Sequence, residues 1–263
     1  MRIAELTLFL SSRKGHRLPA GEAKRGPGEN RVPVERPKDR CKPGLPAEER
    51  TRSLQGVIAL IDYGSGNLRS VHKALLKVGA EVRIARKPQE LEGARGLVLP
   101  GVGAFDDCLQ ALQKQELLAA SRDFLKSGRP FLGICVGYQA LFERSEEFNS
   151  RAAGMGVFEG NVVRFEGQSG LKVPQIGWNQ LEIVRSDCPL YAGIPSGSYV
   201  YFVHSYFPKP RDPSIIATRT SYGDEFASSV WRDNVFATQF HPEKSQQIGL
   251  QLLSNFLGYT KRN

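Results

Sequence analysis

The sequence predicts an α/β fold: a mostly parallel central sheet with helices on both faces, plus an added region of antiparallel or mixed strands. Three observations lead there. Apolar runs of strand length recur at 57-VIALID-62, 81-EVRIA-85, 96-GLVLP-100 and 130-PFLGIC-135. Stretches with helical spacing separate them, at 66–79 and 105–128, and each closes on a glycine suited to a C-terminal cap. Between about 156 and 207 the pattern changes to alternation, as in 157-VFEGNVVRFE-166, 181-LEIV-184 and 199-YVYFVHSYF-207. Buried strands alternating with helices imply βαβ units, and alternation implies strands with one wet face. A final stretch, 245-SQQIGLQLLSNFLGY-259, reads as a helix packed back on the sheet.

The organisation along the chain is uneven. Residues 1–55 are rich in Pro, Gly and charge around one short apolar patch, 6-LTLFL-10. Such a segment buries too little apolar area to offset the entropy of ordering, so it is expected to be a disordered, basic N-terminal extension. The folded pattern begins abruptly at Val57, and a true chain start near that point is the alternative reading. The patch is too short for a secretory signal core, and the many acids do not suit an organelle transit peptide. Residues 56–263 are expected to form one domain.

Charge and cysteine usage exclude several function classes. The net charge is +9, but the first 55 residues hold 13 Lys or Arg and 7 Asp or Glu, which leaves 23 and 20 for the rest. The basic excess thus belongs mainly to the arm, and a nucleic-acid partner is not expected. No run approaches the roughly 18 apolar residues of a membrane helix. Cys41, Cys108, Cys135 and Cys188 are widely spaced with no C-x-x-C pair. That argues against a zinc site or a disulfide framework and suits a reducing, cytoplasmic setting. No metal or cofactor is expected.

The chemistry centres on 130-PFLGICVGYQALFE-143, where an apolar run stops at a cysteine between two glycines. This is a nucleophile-elbow pattern with sulfur in place of oxygen. Cys135 would end a strand and start a helix, and the N–H of Val136 would point at an oxygen developing on a carbonyl under attack. An inert buried cysteine is the other reading of the pattern. A base is offered by 236-FATQFHPEKS-245. In an extended segment His241 and Glu243 point the same way, so Glu243 can orient the imidazole that takes the thiol proton. A surface His-Pro turn is the alternative there. The strand 97-LVLPGVGAF-105 runs into Gly101-Val102-Gly103, which exposes backbone N–H groups at a sheet edge where ligands bind. A plain turn is the simpler reading of that loop. A glycine loop at 62–70 carries only a weak phosphate-cradle signal.

With "QFHPEKS", "GICVGYQ" resembles the catalytic pair of class I, triad-type glutamine amidotransferases. "IDYGSGNLRSV", "PGVGAF", "VPQIGWNQL" and "YFVHSYF" narrow the resemblance to the glutaminase subunits of imidazole glycerol phosphate synthase, from about Val57 to Leu257. The resemblance implies that Cys135 attacks the side-chain amide of glutamine, that His241 carries the proton, and that Glu243 orients His241. It implies an oxyanion site at Gly101, Val102, Gly103 and Val136. It further implies glutamine contacts at Gln139, Glu147, Ser205 and Tyr206. Ammonia would pass to a cyclase partner with a (β/α)8 barrel, in a heterodimer serving histidine biosynthesis, with Lys244, Trp178 and Asn67 as candidates for the partner face and gate. Val136 and Tyr138 depart from the Leu and Met common in the family. Three rivals stand beside this reading: a free-standing γ-glutamyl hydrolase or a glutaminase feeding a different synthase, a catalytically silent binding subunit, and a nucleic-acid binder acting through the basic arm.

Overall fold

The computed structural model describes residues 56–166 and 171–262, so the expected extension at 1–55 lies outside the described residues. The four apolar runs form β1 (Ile58–Ile61), β2 (Val82–Ala85), β3 (Gly96–Gly101) and β4 (Phe131–Cys135). Every residue of β1, β3 and β4 is buried, as a sheet covered on both faces requires. The first helical stretch is α1 (Leu68–Lys77).

The stretch 105–128 corrects the expectation of a single helix. It is two helices, α2 (Phe105–Lys114) and α3 (Leu117–Lys126). The break falls at Glu116, whose φ of 61° lies in the left-handed region and interrupts the helical ladder. Phe105, Cys108, Leu109 and Leu112 turn inward from α2, as do Leu117, Ser121 and Phe124 from α3. The inward positions step by three or four residues except from Leu112 to Leu117, and that longer step marks the kink.

Four later strands complete the main sheet: β8 (Glu182–Ile183), β11 (Ile216–Tyr222), β12 (Asp224–Arg232) and β13 (Val235–Thr238). The order across the sheet is β2-β1-β3-β4-β13-β12-β11-β8. The first five of these strands are parallel and the last three antiparallel. The connection through α1 steps to one side of β1, and the connection through α2 and α3 steps to the other side. Right-handed crossovers therefore put them on opposite faces. The last helix, α5 (Gln246–Thr260), packs on α1, and α2 packs on α3.

The antiparallel part of the main sheet comes mostly from 216–232, which the sequence reading did not mark as strands. Of the alternating region, only β8 joins that sheet. Its other strands form two small sheets. One is β10-β6-β5, from β5 (Arg144–Ser145), β6 (Gly160–Arg164) and β10 (Tyr206–Pro210). The other pairs β7 (Gln175–Gln180) with β9 (Tyr199–His204).

This topology brings the carboxyl ends of β3, β4 and β13 side by side, one strand from the point where the order reverses at β1. Such edges of open α/β sheets are where ligands bind. Tyr138, just past the end of β4, is fully buried. Its ring meets Phe142 edge-on at 5.5 Å, and its hydroxyl donates to the Ala227 carbonyl of β12 at 3.2 Å. Burial pushes its phenol well up, so it stays a neutral donor. The tyrosine is therefore a structural tie between the elbow and the sheet. Tyr138→Phe is expected to cost roughly 1 kcal/mol in urea unfolding with an unchanged m-value, the net worth of one buried hydrogen bond.

Candidate active site

Cys135 lies between β4 and α4 (Val136–Gln139), with φ 54° and ψ −107°. A non-glycine residue held there costs on the order of 1–3 kcal/mol, and such strain persists only where the surroundings enforce it. The surroundings here are steric. A Cβ on Gly137 would stand 2.0 Å from the Leu99 carbonyl oxygen, and one on Gly133 would stand 2.6 Å from the Gly137 oxygen. The flanking glycines thus provide room for the close approach, while the cysteine itself carries the unusual backbone angle. The helix that follows is one turn long, so few peptide dipoles add up behind the thiol.

His241 and Glu243, the candidate base and its candidate orienter, are in contact. The His241 Nδ1 and a Glu243 carboxylate oxygen lie 2.7 Å apart, and both side chains are fully buried. Asn67, the residue that opens α1, donates its side-chain amide to the same carboxylate oxygen. The His241 Nε2 is buried and has no closely aligned hydrogen-bond partner among the described residues, while Cys135 acts on the ring by its charge and as a looser contact. Nucleophile–base contacts are often open in this way before substrate binds. Burial alone would lower the His241 pKa. The Cys135 sulfur and the Glu243 carboxylate outweigh it and raise the ring to about 10. The other described histidine with a resolved shift, His204, is pushed down by burial to about 3 and stays neutral.

The main chain fixes the base from a second direction. The His241 N–H donates to the Tyr201 carbonyl of β9 at 2.9 Å. The Tyr201 N–H donates to the Ser245 hydroxyl oxygen at 3.0 Å, and that hydroxyl donates to the His241 carbonyl at 2.7 Å. Gly249 lets α5 reach the Pro242–Lys244 turn, since a Cβ there would stand 1.8 Å from the Pro242 oxygen.

The oxyanion candidates divide. Gly101 is still strand, paired with Cys135, and packed under Gly137 and the Tyr63 hydroxyl. The loop proper starts at Val102, and Gly103 is exposed with φ 98°. Val136 opens α4, where an N–H has no partner within the helix.

Among the proposed glutamine contacts, the Gln139 amide donates to the Tyr206 carbonyl at 3.0 Å. Ser205 leads into Tyr206 between β9 and β10, and its carbonyl accepts from the Phe165 N–H at 3.1 Å. Phe148, the neighbour of Glu147, packs 6.3 Å from the Tyr206 ring. Glu147 is buried and accepts from the Phe105 N–H at 2.8 Å, at the start of α2 and just past the Gly101–Gly103 loop. Burial pushes its carboxyl up, with Asp107 and Asp106 adding to that, against the Phe105 hydrogen bond. Asp106 in turn accepts from the Ser150 hydroxyl and from the N–H groups of Arg151 and Ala152. The loop after Glu147 and the start of α2 are thus bolted together in both directions.

Trp178 lies on the β7–β9 sheet, 45% exposed beside Ile176 at 57% and Tyr199 at 55%. Lys244 is exposed, with its ammonium 5.6 Å from the centre of the Tyr201 ring. Asn67, by contrast, is engaged with Glu243 as described above. Sequence reasoning missed Gln239, whose amide nitrogen is 3.7 Å from the Cys135 sulfur. It missed Ser245 as well. Their place beside His241 was the available signal. The glycine loop at 62–70 leads into Asn67.

A family model described as glutamine amidotransferase class-I matches residues 59–258. The chain belongs to the class I glutamine amidotransferase family. Within it, full-length relatives at about half identity are each an imidazole glycerol phosphate synthase subunit HisH. The protein of Syntrophotalea carbinolica is 51% identical over 205 residues, covering 76% of this chain and 98% of the relative. That of Geobacter sulfurreducens is 50% identical over 204 residues, 76% of this chain and 97% of its own. The Thermosynechococcus vestitus protein is 49% identical over 205 residues, covering 78% and 97%. Among solved structures, PurLQS from Thermotoga maritima superimposes with a TM-score of 0.63 at 20% identity, covering 78% of this chain and 99% of its own. A crystal structure of a glutamine amidotransferase gives a TM-score of 0.62 at 22% identity, covering 78% and 100%. These two share the fold.

Charging His241 stabilises the native state fully below its ordinary value of 6.5, and that contribution is lost as pH rises through about 10. Cys135 is the largest of the influences that raise the ring. In Cys135→Ala the His241 titration followed by NMR is therefore expected to fall by at least about one pH unit. An unmoved midpoint would mean that the thiol does not act on the ring.

Proposed function

We infer that this chain is the glutaminase subunit of imidazole glycerol phosphate synthase, hydrolysing glutamine to glutamate and ammonia for histidine biosynthesis. The observation that carries the reading is the strained Cys135 set at the end of β4, with the buried His241–Glu243 pair beside it.

The residues have distinct parts in the reaction. The Cys135 sulfur attacks the side-chain carbonyl carbon of glutamine as the thiolate, its proton already held on the His241 Nε2. Glu243 keeps the opposite nitrogen engaged and stabilises the imidazolium. The oxygen that gains charge is held by the Val136 N–H and the Val102–Gly103 loop, with Gly101 beneath as the fixed end of that loop. As the C–N bond breaks, His241 returns the proton to the leaving ammonia and a γ-glutamyl thioester remains. Water then attacks the thioester, with His241 again as base, and glutamate leaves.

Gln139 and the backbone at Ser205 and Tyr206 hold the substrate. Glu147 receives its α-ammonium, a role supported by its buried carboxylate set just past the Gly101–Gly103 loop. No described helix is long and apolar enough to cross a membrane, which accords with a cytoplasmic enzyme.

The partner is a cyclase subunit with a (β/α)8 barrel, bound as a heterodimer. It docks on the exposed apolar face around Trp178, with Lys244 at the edge and Asn67 behind, on Glu243. Ammonia released there enters the partner without meeting bulk water, where it would be protonated.

The test is glutamate release by the chain alone, with the cyclase subunit, and with cyclase plus its ribonucleotide ligand, using Cys135→Ala as the blank. The expected result is near-background activity alone and a rise of orders of magnitude with liganded cyclase. Strong hydrolysis by the lone chain would mean a free-standing hydrolase. Activity surviving in Cys135→Ala would remove the thiol mechanism. Glu147→Gln is expected to raise the KM for glutamine about tenfold or more with a smaller change in kcat, as loss of a substrate charge contact does.

A further inference from the structure

We propose that Gln239 is a positioning residue for the nucleophile, its amide N–H donating to the Cys135 sulfur and its amide oxygen held by Gln139. The proposal rests on the reading of Cys135 as nucleophile and adds a residue to that site.

Gln239 is fully buried just past the end of β13, and its N–H donates to the Ser228 carbonyl at 2.8 Å. β13 pairs with β4 through Thr238 and Ile134, so Gln239 and Cys135 follow that pair on adjacent strands. Gln239 is also two residues before His241. In extended chain that spacing puts both side chains on one side of the strand.

The hydrogen bonds fix which end of each amide points where. The Tyr206 carbonyl can only accept, and the Gln139 amide meets it at 3.0 Å. Gln139 must therefore present its NH2 group. The same nitrogen lies 3.3 Å from the Gln239 oxygen, which accepts from it. With its oxygen committed there, Gln239 turns its NH2 toward the sulfur, 3.7 Å away. The ring of His204 also bonds the Tyr206 carbonyl, at 2.9 Å, which holds the start of the chain of amides in place.

A donor aimed at sulfur favours the thiolate, the form that attacks. The titratable groups that face Cys135 are His241 from the strand beside it, Tyr63 from the end of β1 and Cys108 from α2, with Glu243 behind His241. Gln239 is the neutral member of this surround, and it links the thiol to Gln139.

Two variants test it in the full-length chain. Gln239→Met keeps the bulk and removes the donor, while Gln239→Glu keeps the shape and sets a carboxylate against the sulfur. The first readout is alkylation of Cys135 by iodoacetamide, a small primary carboxamide, followed peptide by peptide in a mass spectrometer. At neutral pH both variants are expected to alkylate about tenfold more slowly than the parent, the effect of one lost hydrogen bond to a charged group. The second readout is glutamine hydrolysis with the partner subunit, where kcat falls and KM stays within about threefold.

Parent-like alkylation and kcat in both variants would overturn the proposal. If burial makes alkylation of the parent too slow to follow, the hydrolysis kinetics decide. If Gln239→Met does not fold, Gln239→Glu carries the test. Hydrolysis that survives in Cys135→Ala would instead strike the nucleophile assignment itself, a different result from either failure.

Discussion

Gly137 lies so near the Leu99 carbonyl of β3 that no side chain fits between them. That contact pins the single turn of α4 to the central sheet, and with its carboxyl side pinned Cys135 must bend through a left-handed angle. The rest of the site is arranged around this fixed point. β3 and β13 flank β4, so the strand ends that deliver Gly101 and Gln239 lie to either side of the thiol. Strain of this kind draws on the stability of the whole sheet, which is why it sits where buried strands are most numerous.

Electrostatics take over where packing stops. His241 is buried, and burial opposes its charged form, yet the sulfur and the Glu243 carboxylate reverse that preference. Glu243 is steadied by Asn67 at the start of α1, so an element remote in sequence helps fix the carboxylate beside His241. Tyr63 sits under Gly101 with its hydroxyl buried. Burial, helped by Cys108 and Cys135, pushes that phenol far up, so it adds no charge beside the thiol.

Much of this was legible in the sequence, for physical reasons. The parallel strands are continuous apolar runs because both faces are covered, and Cys135, His241 and Glu243 follow spacings that the chemistry dictates. Other parts left a weaker trace. Glu116 breaks a helix at an ordinary residue, and only the five-residue step from Leu112 to Leu117 betrays it. β11 and β12 carry buried Thr218, Thr220, Ser228 and Ser229, so they do not look apolar, although three of those hydroxyls bond one another. Glu147, expected to face substrate, also holds the N–H of Phe105, a contact across 42 positions that no local pattern encodes. Gln239 is invisible for the same reason, since its meaning depends on which strand lies next to β13.

The two-stranded β7–β9 sheet shares no backbone ladder with the eight-stranded one among the described residues. Its inner side chains Val200 and Phe202 are in the core, while Ile176, Trp178 and Tyr199 face outward. The Tyr201 carbonyl that holds the His241 N–H belongs to this ribbon, whereas the thiol belongs to the large sheet. His241 follows β13 of the large sheet and is also hydrogen-bonded to the ribbon, so its main chain bridges the two sheets. The exposed face around Trp178 and the buried imidazole are thus tied to the same short run of backbone, through Tyr201 and Ser245.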